Sequence, residues 1–260
     1  MTEKTLRPVV PNAGIEAEYR KRIKRLIAEM QRSIVYWLTA AYKANEPKIA
    51  QDNIIPAIEL QDAMDDLAKQ WQTKFDATAP KLAQWFAQKT KNYTDGSLQT
   101  ILKDGGFAVR FEMSPVMQDA YQAVINEQVG LIKSIASEHL QEVQGLVMRS
   151  VQQGRNMGEL TAELTKRYGI TKRRAAFIAR DQNNKATATV TRVRHKQLGI
   201  TQAVWKHSHA GKHPRPSHLK ADGEVYDIDK GLYLDGKWTW PGVEPNCRCT
   251  TRPIIPGIKV

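Results

Sequence analysis

The side chains best suited to chemistry crowd into the last sixty residues. Four of the six histidines, His207, His209, His213 and His218, fall within twelve residues, and both cysteines, Cys247 and Cys249, sit in a C-x-C about thirty residues later. Imidazole nitrogen and thiolate sulfur are the soft donors that hold zinc, in clusters spaced a few residues apart. His218, Cys247 and Cys249 supply three such donors, and His213 or His207 could supply a fourth. The same residues allow acid–base work on a phosphodiester by a histidine pair, with Arg215 or Lys220 meeting the developing charge. A Cys247 nucleophile with His218 as base is a further catalytic arrangement, although a Pro-rich loop lacks the helix N-terminus that lowers a thiol pKa.

A third reading is a compact structural knot, and it is preferred. Asp222-Gly223 suits a tight turn that needs positive φ, with His218 hydrogen-bonded to backbone nearby. Cys247 and Cys249, two residues apart, share one face of a short strand and pack as small apolar groups. Asn246 braces a turn. Trp205, Trp238 and Trp240 supply core area and an indole donor each. His207, His209 and His213 are then solvated. Under this reading no cofactor is required; under the first, the cofactor is zinc.

The elements that must position these residues are mostly helical. Tyr19, Ile23, Leu26, Ile27, Met30, Ile34, Leu38 and Ala41 recur at spacings of three and four, which predicts an amphipathic helix over 13–44. Pro47 and the run N-I-I-P at 53–56 close it. A helix over 57–78 buries Ile58, Leu60, Met64, Leu67, Trp71 and Phe75, and Pro80 opens another through Lys91. Asp95-Gly96 and Gly105-Gly106 read as turns. Ser114 as N-cap and Pro115 at N1 start a helix of nearly forty residues that Gly154 ends. A short helix at 158–168 stops at Gly169, and Thr171 caps the next across 172–198, closed by Gly199.

Beyond Gly199 the composition turns to proline, glycine, tryptophan and short β-prone pieces at Gln202–Lys206, Glu224–Ile228, Leu232–Leu234 and Thr250–Ile255. The fold expected is mainly α, a long helical bundle followed by a small, compact, loop-rich C-terminal α+β domain. The divisions expected are an N-terminal helical region at 1–112, a long-helix and basic-helix region at 113–199, and the His/Cys-containing region at 200–260.

Charge and composition narrow the partners. The chain of 260 residues carries a net charge of +12 at pH 7. From Lys166 to Lys196 there are ten Lys or Arg against one acid, Asp181, so +9 lies in that stretch and +3 in the other 229 residues. Lys172, Arg173, Arg174, Arg180, Lys185, Arg192, Arg194 and Lys196 are candidates for contact with DNA phosphates or with an acidic protein surface; a plain solvated face is the bland alternative. No apolar run approaches the roughly 20 residues of a membrane span, and the N-terminus has no apolar signal core. Two cysteines one residue apart cannot close a useful disulfide loop, which points to a reducing compartment.

One further pattern carries more specific information. The run G-E-L-T-A-E-L-T-K-R-Y-G-I-T-K-R-R-A-A-F-I-A-R-D-Q, then Leu198-Gly199-Ile200, Trp205, R-P-S-H-L-K-A-D-G and P-N-C-R-C resembles the phage Mu F-like minor head proteins. The resemblance covers roughly 115–255, so 113–260 form the Mu F-like part. It implies a phage head morphogenesis protein in few copies per virion. The implied partners are the portal protein, the major capsid or scaffold protein and the packaged double-stranded DNA. It implies a place near the portal in the phage head, reached from the host cytoplasm during assembly, a role in DNA packaging or ejection, and no catalysis. The runners-up are a histidine-dependent nuclease and a non-specific DNA-binding packaging factor.

Two positions depart from the family pattern. Many relatives read I-A-R-T-E where this chain has Ile178-Ala179-Arg180-Asp181-Gln182, and some carry a second cysteine pair where this chain has Arg215 and His218. Relatives that are toxins carry a further domain; none is expected here, because the sequence stops eleven residues after Cys249.

Overall fold

The structure is a computed structural model that describes residues 3–44, 56–153, 156–209 and 213–259. In chain order the elements are β1 (Glu3–Thr5), α1 (Ala13–Ala44), α2 (Pro56–Asp104), α3 (Pro115–Gln152), α4 (Met157–Gln197), β2 (Gln202–Lys206), α5 (Pro216–Lys220), β3 (Val225–Asp227), β4 (Leu232–Leu234), β5 (Lys237–Thr239) and β6 (Thr250–Lys259). The fold is mainly α with a small C-terminal α+β region. No helix among the described residues is long and apolar enough to cross a membrane.

The chain forms two compact units that alternate along the sequence, whereas the sequence patterns suggest serial divisions at 112 and 199. One unit comprises Met1–Ala17, Ala83–Glu127 and Ala179–Val260; the other comprises Glu18–Leu82 and Gln128–Ile178.

The second unit is all helix. The apolar stripe of α1 from Tyr19 to Leu38 is buried, as are Leu60, Met64, Leu67, Trp71 and Phe75 of α2 and Ile132, Ile135, Leu140, Val143 and Val147 of α3. Ile58, assigned to the same face by its spacing, is instead 56% exposed. Tyr19 donates its hydroxyl to Gln128 Oε1 at 2.8 Å. Fully buried His139 links three helices: its Nδ1 lies 2.8 Å from Thr171 Oγ1 and its Nε2 3.1 Å from Gln31 Oε1. A neutral ring carries one proton, so it donates in one of these contacts and accepts in the other. Burial accordingly holds His139 down at about 4.

The other unit is built on a four-stranded antiparallel sheet in the order β1-β6-β2-β3, with β4 and β5 as a separate hairpin. Trp205 and Ala203 of β2 are fully buried among Leu98, Ile101 and Leu102 of α2, Leu6, Ile255 and both cysteines. Arg194 of α4 is 1% exposed and grips Asp95 of α2 through Nε at 2.7 Å and Nη2 at 2.8 Å.

Several helix boundaries differ from the sequence reading. Pro80 lies inside α2, which runs on to Asp104 and includes Asp95-Gly96 as helix rather than turn. Gly169 and Thr171 lie inside α4, so 158–168 and 172–198 are one helix; Thr171 Oγ1 bonds Arg167 O at 3.1 Å rather than capping. In each case the buried stripe continues through the breaker: Ala79, Ala83 and Phe86 across Pro80, and Leu160, Leu164, Thr171, Ala175 and Ile178 across Gly169. Burial of that face outweighs a local propensity cost of about 1–3 kcal/mol.

Other punctuation acts as the residues suggest. Ser114 Oγ accepts from Met117 N at 3.2 Å to cap α3. Gly199 takes φ +69, and Ile200 N reaches back to His195 O at 3.0 Å to close α4. The stops assigned to Pro47, to Asn53 through Ile55 and to Gly154 lie outside the described residues.

Candidate metal centre

The sheet-bearing unit brings three of the four soft donors together. α5 opens with Pro216 in its first turn, preceded by Arg215 in extended conformation, and one short turn later turns His218 inward to 3% exposure. Opposite, Asn246 adopts φ +59, a left-handed conformation that Asn tolerates better than most residues. The chain then leaves through Cys247, Arg248 and Cys249 toward β6. Two-residue spacing turns both thiols to the buried side, at 3% and 5% exposure.

His218 Nδ1 lies 3.4 Å from Cys247 Sγ and 3.7 Å from Cys249 Sγ. The three ligand atoms all fall within 4.8 Å of one another. The imidazole of His218 meets the Trp205 ring edge-on, with centroids 5.1 Å apart. His218 therefore faces sulfur, not the backbone partner anticipated from the turn.

The electrostatics of the trio treat the two thiols unequally. Cys247 is held well below the ordinary thiol range, chiefly by the hydrogen bond from Cys249, with His218 and the backbone N–H groups of Cys249 and Gly242 adding to it. Cys249 is pushed up, first because its thiol proton is held in the hydrogen bond to Cys247, then by burial and by the charge beside it. Without a metal the pair thus shares a proton. Gly242 N donates to Cys247 Sγ at 3.4 Å, and Asn184 Nδ2 holds Cys247 O at 3.0 Å. The buried Trp205 indole N–H lacks an acceptor at good geometry, yet it lies close enough to favour the anionic form of Cys249. Soft donors ringed by N–H groups fit a thiolate-bound divalent cation such as zinc.

A cavity of about 530 Å³ opens over these atoms, with Arg180, His207, His213 and Arg215 on its wall. His213 is exposed and stands on this wall, but it is not among the atoms drawn together. His207 is buried at 6% rather than solvated, and its Nδ1 accepts from His209 N at 3.0 Å. A neutral His207 therefore carries its proton on Nε2 and has no lone pair left for a metal. His209 Nε2 is spent on Asp222 Oδ2 at 3.0 Å.

Asp222 is a clasp. It accepts from His207 N at 2.9 Å, and the bonds from His207 N, His209 and Lys206 draw its pKa down to about 2. Gly223 beside it takes φ +91 and returns its N–H to Trp205 O at 2.9 Å. Asn246 N donates to Asp181 Oδ1, and Asn246 Oδ1 accepts from Arg180 at 3.1 Å. Asp181 thus fixes the cysteine loop. Trp238 is 57% exposed, packed against Tyr233 rather than in the core. Trp240 donates to Ile228 O at 2.9 Å.

The basic residues of α4 are largely spoken for. In the helical unit Arg174 pairs with Glu138 at 2.8 Å, Lys172 lies over the Tyr168 ring at 4.4 Å, and Arg173 is exposed. In the sheet-bearing unit Lys185 pairs with Glu127 at 2.6 Å, Lys196 with Asp229 at 2.5 Å, and Arg192 lies over Trp240 at 4.2 Å. Arg194 does not serve as such a contact: with 1% exposure and its charge on Asp95, it cannot reach a phosphate or a partner surface. Sequence reasoning missed Asp95, because a pairing across 99 residues leaves no local signal. It also passed over His195, buried at 1% with neither ring nitrogen hydrogen-bonded among the described residues.

Long helices, a small antiparallel sheet and a buried His–Cys–Cys trio define a mainly helical protein with a small C-terminal α+β region. Residues 141–252 are similar to the family described as Phage Mu protein F like protein. A Haemophilus influenzae (strain ATCC 51907 / DSM 11121 / KW20 / Rd) protein described as an uncharacterized protein is 26% identical over 254 residues, covering 96% of this chain and 55% of the relative. The chain thus spans about half the length of that relative. No solved structure matches.

Proposed function

We propose that this chain is a phage head morphogenesis protein that docks at the portal vertex and acts by binding rather than by turnover. The match of residues 141–252 to the Mu F-like family carries this reading. The portal protein is the principal partner, with the major capsid or scaffold protein and the packaged DNA as further contacts. The chain reaches the virion from the host cytoplasm and acts in packaging or ejection. Binding is favoured over catalysis because the polar groups around the cavity are committed to one another: His209 to Asp222, His207 to the His209 N–H, and Arg215 to Pro245 O at 2.8 Å. Protein contact is favoured over DNA because Arg174, Lys185, Arg194 and Lys196 already meet acids of this chain, so their fields fall off as dipoles.

Co-expression with the portal protein of the same genome, followed by native mass spectrometry, tests the reading. A complex of defined stoichiometry supports it. Absence of a complex, with cleavage of double-stranded DNA by the same preparation, favours the histidine-dependent nuclease. Absence of a complex with salt-sensitive DNA retention favours the packaging factor.

A further inference from the structure

We infer that His218 Nδ1, Cys247 Sγ and Cys249 Sγ bind one zinc ion, with the fourth coordination position turned toward the cavity. Geometry is the first support. A tetrahedral zinc with Zn–S near 2.3 Å and Zn–N near 2.05 Å sets nitrogen and sulfur about 3.6 Å apart. The observed separations of 3.4 and 3.7 Å straddle that value. Two thiols packed merely as small apolar groups need no ring nitrogen within reach of both. A buried histidine without a metal more commonly turns that nitrogen to a backbone group.

The surroundings are the second support. Gly242 N–H points at Cys247 Sγ, and Asn184 fixes the carbonyl of the same cysteine, so donors already orient and stabilise a ligating sulfur. All three ligand residues are at most 5% exposed, which keeps water from competing except through the cavity side. The donor set of two sulfurs and one nitrogen excludes magnesium and calcium, which take oxygen. His213 stands on the cavity wall outside the trio, so the ion has three protein ligands among the described residues. It cross-links α5 to the chain entering β6, through residues 29 positions apart in the sequence.

The test uses the full chain without a histidine tag, supplied with zinc, dialysed, and weighed by native mass spectrometry beside elemental analysis. About one zinc per chain is expected, and replacement by Co²⁺ should give thiolate-to-metal charge transfer with the intense visible bands of tetrahedral coordination. Cys249→Ser and His218→Ala should lose the metal. His218→Cys should keep it, which separates lost ligation from lost folding, and His213→Ala should also keep it. A chelator should lower the Tm of the parent chain but not of His218→Ala. A parent chain that is folded by circular dichroism yet takes up neither zinc nor cobalt overturns the inference, as does loss of zinc in a folded His213→Ala.

Discussion

Asp95→Ala should be the most damaging single truncation of a charged residue in the sheet-bearing unit. Arg194 is 1% exposed, and two of its N–H groups end on Asp95 at 2.7 and 2.8 Å. Its other contacts are neutral: Glu112 O and Gln197 Oε1, each at 2.7 Å, and the Phe111 ring at 4.8 Å. Asp95, in contrast, has a second cation, Lys91, at 3.0 Å. Removing the carboxylate therefore leaves a buried guanidinium uncompensated and brings two cations to face each other. With charge centres about 4 Å apart and an effective dielectric near 20, the lost attraction is about 4 kcal/mol, within the roughly 3–5 kcal/mol typical of breaking a buried pair. Arg194→Met leaves Asp95 still paired with Lys91 and should cost less, about 2 kcal/mol. The double variant should recover part of the Asp95→Ala loss. Urea unfolding followed by circular dichroism measures all three at constant m. An Asp95→Ala cost below about 1 kcal/mol, or a double variant as costly as the two singles added, refutes the reasoning.

Two further outcomes follow from buried groups. His195 has its pKa held to about 4 by burial, against 6.5 unfolded, so the unfolded chain binds the extra proton between those values. Stability should fall as pH drops from 6.5 toward 4 and level off below, by up to about 3 kcal/mol from this residue. His195→Leu should flatten that limb without loss at pH 7; an unchanged difference in urea midpoint between pH 7 and pH 4.5 contradicts it. Gly231 takes φ +81, and a Cβ there would meet Thr239 O at 2.5 Å, so Gly231→Ala should open the β4–β5 hairpin. A cost above about 2 kcal/mol and faster proteolytic cleavage within 229–240 are expected.

The parts of this fold legible from sequence are those whose signal is local. The α1 stripe, the Ser114 cap, the Gly199 stop and the β-prone runs of β2, β3 and β4 each rest on neighbouring residues, and each is where its residues place it. β1 (Glu3–Thr5) and β5 (Lys237–Thr239) are short and mostly polar, so they offer no β-prone apolar run and escaped notice. Pro80, Asp95-Gly96 and Gly169 misled because their breaking tendency is small beside the burial of the stripe they interrupt.

The His218–Cys247–Cys249 trio was legible as a set of types and spacings, although the aim of Nδ1 at both sulfurs was not. The basic block showed its charge but not its partners, since Glu127, Asp95 and Asp229 lie far from it in sequence. Asp181 illustrates the same limit: only the fold shows it holding the Asn246 turn, 65 positions away.

The central claim, that this chain works as a component of the phage head, is tested most directly by quantitative mass spectrometry of purified particles and assembly intermediates from a lysate that expresses it. The account predicts the chain in these particles at a small fraction of the major capsid protein, and defective or empty heads when its gene is deleted. Its absence from both particles and intermediates, with heads of normal yield and DNA content in the deletion, would contradict the account.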